Sequence, residues 1–210
     1  MNYLAHVYLS GESDELILGN FIGDYVKGQQ YLNFREEVGR GVLLHRSIDA
    51  FTDNHPLVRQ ASRRFQPGYG RYAGIVTDVV FDHFLARYWA AYSVYTLRQF
   101  SKHVHAVLLS NFIHLPLAVK TFLPFLIQHK RLESYAQLEG ISHSLEIMGR
   151  RTSLPEKTEF AMQTLVSEYD LIKEEFETFF NELVLFVETR FGVKIKKPVK
   201  HGLWTDNVVL

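Results

Sequence analysis

Asp78 and Asp82 lie four residues apart inside the otherwise apolar run Thr77-Asp78-Val79-Val80-Phe81-Asp82-His83-Phe84-Leu85-Ala86-Arg87-Tyr88-Trp89. Residues three and four apart share a helix face, so Ile75, Asp78, Asp82, Leu85 and Trp89 form one stripe with two carboxylates on it. At about 6 Å and an effective dielectric near 20, two such charges repel by about 3 kcal/mol before desolvation is counted. A shared proton, an arginine or a metal ion has to compensate.

The same intrusion recurs upstream. Counting from Ile17 by four, three and four gives Phe21, Asp24 and Gly28, and the same steps from Val38 give Val42, His45 and Asp49. His6 is embedded in the apolar opening Met1 to Leu9. Thus His6, Asp24, His45, Asp49, Asp78, Asp82 and His83 all fall on predicted helices, most at inward positions. Buried carboxylates and imidazoles without partners are costly, and helices that turn them inward together can surround an ion. Oxygen and nitrogen donors without sulfur suit Mn²⁺, Mg²⁺, Zn²⁺ or Fe²⁺, and a carboxylate-rich set favours the harder ions, manganese or magnesium. Any one of these residues has a plainer explanation: Asp49 can pair with Arg46, Asp53 can accept in an Asx turn, and Arg87 can neutralise Asp82 or Asp78. Their concentration in the first 83 residues favours the metal, because His103, His105, His114, His129 and His143 further on have no carboxylate at useful spacing.

Helices must position these groups. A short helix opens the chain, and Asp14 caps a second that is predicted to run to Gly28. Gly19 and Gly23 weaken this second helix but leave room for a neighbouring backbone near Asp24. A third runs from Asn33 to about Thr52, before the turn Asp53-Asn54-His55-Pro56. Val58 to Phe65 is short and basic and is expected to break at Gln66-Pro67-Gly68-Tyr69-Gly70, ahead of a long helix from Tyr72 to Tyr92. Further helices are predicted over Arg98–His114, Leu117–His129, Arg131–Met148 and Glu156–Phe191, with Gly149 to Pro155 a basic loop and Glu174, Glu175 and Glu177 on a solvated face. No segment alternates with period two, so the expectation is an all-α, single-domain multi-helix bundle over residues 1–191 and a C-terminal tail over 192–210.

Composition narrows the classes. With 23 basic and 23 acidic residues the formal charge is zero, which lends no support to nucleic-acid or membrane binding, and neither is expected. The absence of cysteine excludes disulfides, thiolate metal sites and cysteine nucleophiles. No apolar run approaches a membrane span and no signal segment is visible, so a cytoplasmic protein is expected.

Four stretches taken together resemble the acyl carrier protein phosphodiesterase family. They are Asn2-Tyr3-Leu4-Ala5-His6, Gly19 to Gly28, His45 to Asn54, and Asp78-Val79-Val80-Phe81-Asp82-His83-Phe84-Leu85, with Met148-Gly149-Arg150-Arg151 a further shared element. The resemblance implies hydrolysis of the phosphodiester that joins 4′-phosphopantetheine to a serine of acyl carrier protein. It also implies manganese dependence and a distant, HD-domain-like relation to the helical phosphohydrolases. A plain His-Asp dipeptide is absent; Asp82-His83 stands in reversed order.

On this reading Asp24, His45, Asp78 and Asp82 hold one or two ions, and His83 or His6 protonates the serine alkoxide. Asp49 or Asp53 orients a ligand imidazole. Acyl carrier proteins are acidic and helical, so Arg59, Arg63, Arg64, Arg150 and Arg151 are expected docking residues, against the plain alternative of a solvated face. Two other functions fit the residues alone: an HD-like phosphohydrolase acting on a nucleotide or other small phosphodiester, and a non-enzymatic helical module binding an acidic partner.

Overall fold

Eleven α-helices and no strand make up residues 1–198, the part of the chain that this computed structural model describes. The all-α expectation therefore holds. Lys200, Trp204 and the rest of the expected tail from 199 to 210 lie outside the described residues.

Local chemistry sets the first three helices. Asn2 starts α1 (Tyr3–Tyr8) by accepting the Tyr3 N–H, and Ser13 starts α2 (Asp14–Phe21) by accepting from Leu16. α2 stops at Phe21, seven residues short of the expected Gly28, and Gly23–Tyr25 form a 3₁₀ turn instead. The imidazole of His45 fills the space beside Gly23: a Cβ there would fall 2.2 Å from His45 Cγ. His45 belongs to α3 (Glu36–Asn54), which lies unusually close to α2. A Cβ on Gly19 would sit 2.0 Å from the Val38 carbonyl oxygen, and one on Gly41 2.7 Å from that of Leu16.

Pro56 opens α4 (Pro56–Tyr69), which runs through Pro67-Gly68 and ends at Gly70, where φ is +52°. The expected break comes late because Pro67 stands in the last turn, while buried Phe65 and Tyr69 hold that turn against the core. α5 (Ala73–Arg87) carries the Asp78 and Asp82 stretch, and a 3₁₀ turn over Trp89–Ala91 ends it. The predicted single stripe is not realised. Ile75 is 39 % exposed and Asp82 fully buried, because the C-terminal half of α5 is enclosed on every side.

A Thr96–Gln99 capping box begins α6 (Leu97–Ser110), and α7 (Leu117–Gln128) contains Pro124 as expected. The helix predicted over Arg131–Met148 is in fact α8 (Arg131–Ser134) and α9 (Leu138–Arg151). Arg150 and Arg151 therefore end a helix rather than lie in a loop. The helix predicted over Glu156–Phe191 likewise divides at Glu168 into α10 (Thr158–Ser167) and α11 (Tyr169–Phe191). An unbroken apolar pattern cannot reveal these changes of direction, since each piece keeps its own buried face.

α11 is the back wall. Its Ile172, Phe176, Phe179, Phe180, Leu183 and Val187 are fully buried, and Phe176 stacks on Phe84 of α5 at 5.7 Å. Glu175, expected in solvent, is buried and takes the Arg64 guanidinium at 2.8 and 2.9 Å and Gln60 at 2.6 Å. Arg64 also donates Nε to Glu168 at 2.5 Å. This fork ties α4 to α11 from inside the fold. Residues 192–198 lie along the start of α2: Val193 is buried and Lys196 pairs with Glu12 at 2.8 Å. Among the described residues no helix is long and apolar enough to cross a membrane.

Candidate metal centre

The contact between α2 and α3 puts Asn20 beside two imidazoles. Asn20 is fully buried, and its Nδ2 lies 2.6 Å from the His6 carbonyl oxygen and 3.0 Å from Ser10 Oγ. Its Oδ1 therefore faces His6 Nδ1, at 2.8 Å; the reverse amide orientation would set two oxygens against each other at 2.6 Å. His45 Nδ1 lies 2.8 Å from the Asn20 main-chain oxygen. Carbonyl oxygens only accept, so both Nδ1 atoms carry hydrogen. Both Nε2 atoms are left to face the cavity.

What they meet there is acidic. His6 Nε2 is 3.2 Å from Asp49 Oδ1 and 3.1 Å from the Met1 carbonyl oxygen. His45 Nε2 is 3.2 Å from Asp49 Oδ2 and 3.2 Å from Asp24 Oδ1. The two rings stack at 4.1 Å. Donor atoms of His6, His45 and Asp49 all lie within 4.8 Å of one another. Ligands bound at about 2.1 Å at right angles around one ion sit about 3 Å apart, and the 3.2 Å separations of both Nε2 atoms from Asp49 match that spacing.

Protonation points the same way. Burial lowers the His6 pKa against the pull of Asp49, so His6 is neutral and its Nε2 lone pair is turned onto two oxygen acceptors. A divalent cation there would satisfy that lone pair and the facing oxygens together. For His45, burial also opposes the charge, but Asp24 and Asp49 outweigh it and push the pKa up to about 9. Asp49 is held well below the carboxylate range, its own burial overcome by the imidazoles of His45 and His6 that face it. His45 lowers Asp24 in the same way.

A cavity of about 540 Å³ opens over this group. His6, Asp24, His45, Asp49, Asp53 and Asp78 line it together with Tyr3, Phe122, Phe125, Arg131, Tyr135 and Met148. Asp24, expected on an inner stripe, stands on the 3₁₀ turn with its side chain 63 % exposed at the rim. Asp78 is half-buried, with Oδ1 3.0 Å from the Met1 amino nitrogen. Burial raises its pKa and that ammonium opposes the rise.

Two expected site residues turn elsewhere. Asp82 accepts the Leu4 N–H at 2.8 Å and the Ala5 N–H at 3.2 Å, so it fastens the first turn of α1 to α5. His83 donates Nδ1 to the Tyr135 carbonyl at 2.8 Å and meets the Tyr169 hydroxyl at 2.9 Å. Neither lines the cavity. Adjacent helix positions point about 100° apart, so Asp78, Asp82 and His83 cannot all face one point.

Of the expected docking arginines, Arg59 donates to the Asp53 carbonyl and to Asn54 Oδ1 near the cavity. Arg63, Arg150 and Arg151 are exposed, and Arg151 lies over Phe125 at 5.8 Å. Arg64 is spent on Glu168 and Glu175. Asn20, Arg131 and Ser144 were missed. Asn20 did carry a signal, as a polar residue amid an apolar helix beside Gly19.

The family profile described as acyl carrier protein phosphodiesterase matches residues 1–183, a span that includes every residue of this cavity. The chain belongs to that family. An acyl carrier protein phosphodiesterase of Yersinia pestis is 32% identical over 181 residues, covering 86% of this chain and 94% of that protein. Those of Salmonella agona (strain SL483) and Enterobacter sp. (strain 638) are each 31% identical, covering 88% of this chain and 96% of theirs. No solved structure matches the chain significantly.

Proposed function

We propose that this chain hydrolyses holo acyl carrier protein, releasing 4′-phosphopantetheine and the apo protein, with a divalent ion at His6, His45 and Asp49. Manganese comes first, then magnesium, zinc or iron, since the donors are imidazole nitrogen and carboxylate oxygen without sulfur. The observation that carries the reading is the set of His6, His45 and Asp49 donor atoms within 4.8 Å of one another, with both Nε2 atoms turned to the cavity, in a chain of the phosphodiesterase family. Bound there, the ion would polarise a phosphoryl oxygen and acidify a water.

The residues around it divide the remaining work. Asn20 holds both rings with Nε2 presented to the cavity, one through its side chain and one through its main chain. Asp24 adds a carboxylate at the rim. His6 and Asp49 thus pass from acid and orienting residue to ligands, and Asp82 from ligand to a positioning residue that sets α1. The serine alkoxide needs a proton, and Asp78, a cavity carboxyl whose pKa burial raises against the pull of the Met1 ammonium, is the acid at hand. Arg59, Arg63, Arg150 and Arg151 offer the acidic helical substrate a basic rim, and Arg64 stays in the scaffold.

The test is mass spectrometry of holo acyl carrier protein incubated with the full chain and Mn²⁺. Loss of the phosphopantetheine mass, abolished by chelation and restored by added Mn²⁺, is expected. Intact holo protein after prolonged incubation overturns the reading, and turnover of nucleotides instead would move the substrate to a small phosphodiester.

A further inference from the structure

The cavity that holds the proposed metal donors is also lined by a cation with no carboxylate partner. Arg131 is only 6 % exposed, and among the described residues no Asp or Glu lies within ion-pair distance of it. Its hydrogen bond within the fold goes from Nη2 to Ser144 Oγ, and Ser144 is itself fixed by donating to the Gly140 carbonyl. The Phe125 and Tyr135 rings lie 5.6 and 5.8 Å from the guanidinium carbon. A buried guanidinium that meets the Ser144 and Tyr135 hydroxyls and two ring faces but no carboxylate keeps its positive charge unpaired at the edge of the cavity.

The backbone is arranged to place it. Lys130, immediately before Arg131, has φ +45°, the only positive value at a non-glycine position among the described residues. Gly140 lets α9 approach α8 so closely that a Cβ would fall 1.9 Å from the Ser134 carbonyl oxygen. That approach brings Ser144 to Arg131. The Tyr135 hydroxyl, beside Arg131, accepts from Asn2 Nδ2 at 3.1 Å and so links this wall to the turn that carries His6.

We propose that Arg131 is the anion-binding residue of this cavity, its fork receiving the non-bridging oxygens of a phosphate ester whose phosphorus faces the metal group. Planar donors match two phosphate oxygens at once, a match that a lysine ammonium cannot reproduce. The inference rests on the phosphodiesterase reading for the identity of the ester, but the anion site has its own test.

Inorganic phosphate is titrated by calorimetry into the full Mn²⁺-loaded chain and into R131M, with Mn²⁺ affinity measured separately on both. R131M should weaken phosphate at least about tenfold and leave Mn²⁺ affinity within about twofold, since Arg131 touches none of the proposed metal donors. Phosphate affinity within twofold of the parent overturns the inference. Should R131M fail to fold, R131K decides: charge without the fork should weaken phosphate about threefold or more, and an unchanged affinity overturns the inference. If holo acyl carrier protein is never cleaved by the parent chain, the functional reading fails and the phosphate titration still judges Arg131.

Discussion

Replacing Asn20 by alanine separates the orientation of the two imidazoles. The side chain supplies the acceptor for His6 Nδ1–H and donors to the His6 carbonyl and Ser10 Oγ, whereas His45 is held by the Asn20 main-chain oxygen, which alanine keeps. Stranding the buried His6 N–H costs about 1–3 kcal/mol, and the two deprived acceptors add to it, giving about 2–4 kcal/mol in the metal-free protein. At about 2–4 °C per kcal/mol for a domain of this size, Tm should fall by about 5–15 °C. Metal affinity should fall about 10–100-fold, the usual effect of removing the partner that fixes a ligand imidazole. It should not vanish, since His45, Asp49 and Asp24 keep their places. Free Mn²⁺ followed by electron paramagnetic resonance gives the affinity, and thermal unfolding with chelator present gives the stability. A variant that loses several degrees of Tm yet binds Mn²⁺ as the parent does would refute the role assigned to His6.

Four further perturbations probe other parts of the molecule. Gly23→Ala should expel the His45 ring, because its Cβ would fall 2.2 Å from His45 Cγ; Mn²⁺ binding should drop by more than in N20A, and unchanged binding would place the centre elsewhere. Asp82→Asn tests linkage: burial raises the folded Asp82 pKa to about 7 from about 3.9 unfolded, so the folded state holds a proton that the unfolded chain releases. Its contribution is complete below the unfolded value and lost as pH rises through about 7. D82N should therefore gain on the parent in urea-unfolding free energy from pH 4 to 7, and parallel profiles would contradict this. Arg64→Met leaves Glu175 buried without its cation, at a cost of about 3–5 kcal/mol, and R64M/E175M should recover most of the lost Tm; a drop below 2 °C in R64M would reject the scaffold role. The same measurement on Arg150→Ala should show no loss of stability, since that side chain is exposed.

Much of the centre was legible in the chain itself. His6, His45 and Asp49 break an apolar periodicity, and a side chain that costs free energy to bury is a signal one helix can display. The helical class followed from that same periodicity, and the family from four short stretches. Periodicity gives the face of a helix but neither its end nor its neighbour. The early stop of α2 at Phe21 goes with the His45 ring that lies against Gly23, and the breaks before α9 and α11 with the packing of separate pieces. Asp78, Asp82 and His83 looked like one constellation, yet the turn of α5 sends Asp82 to the start of α1 and His83 to Tyr135 and Tyr169. Arg64 and Arg131 carry the same charge; one meets Glu175 and becomes scaffold, the other meets hydroxyls and rings but no carboxylate beside a cavity. Sequence by itself determined that donors and cations were present in a helical fold. Tertiary structure decided which of them face one another, because partners thirteen to more than a hundred residues apart meet only when helices pack, and a charge acquires its role from what it meets.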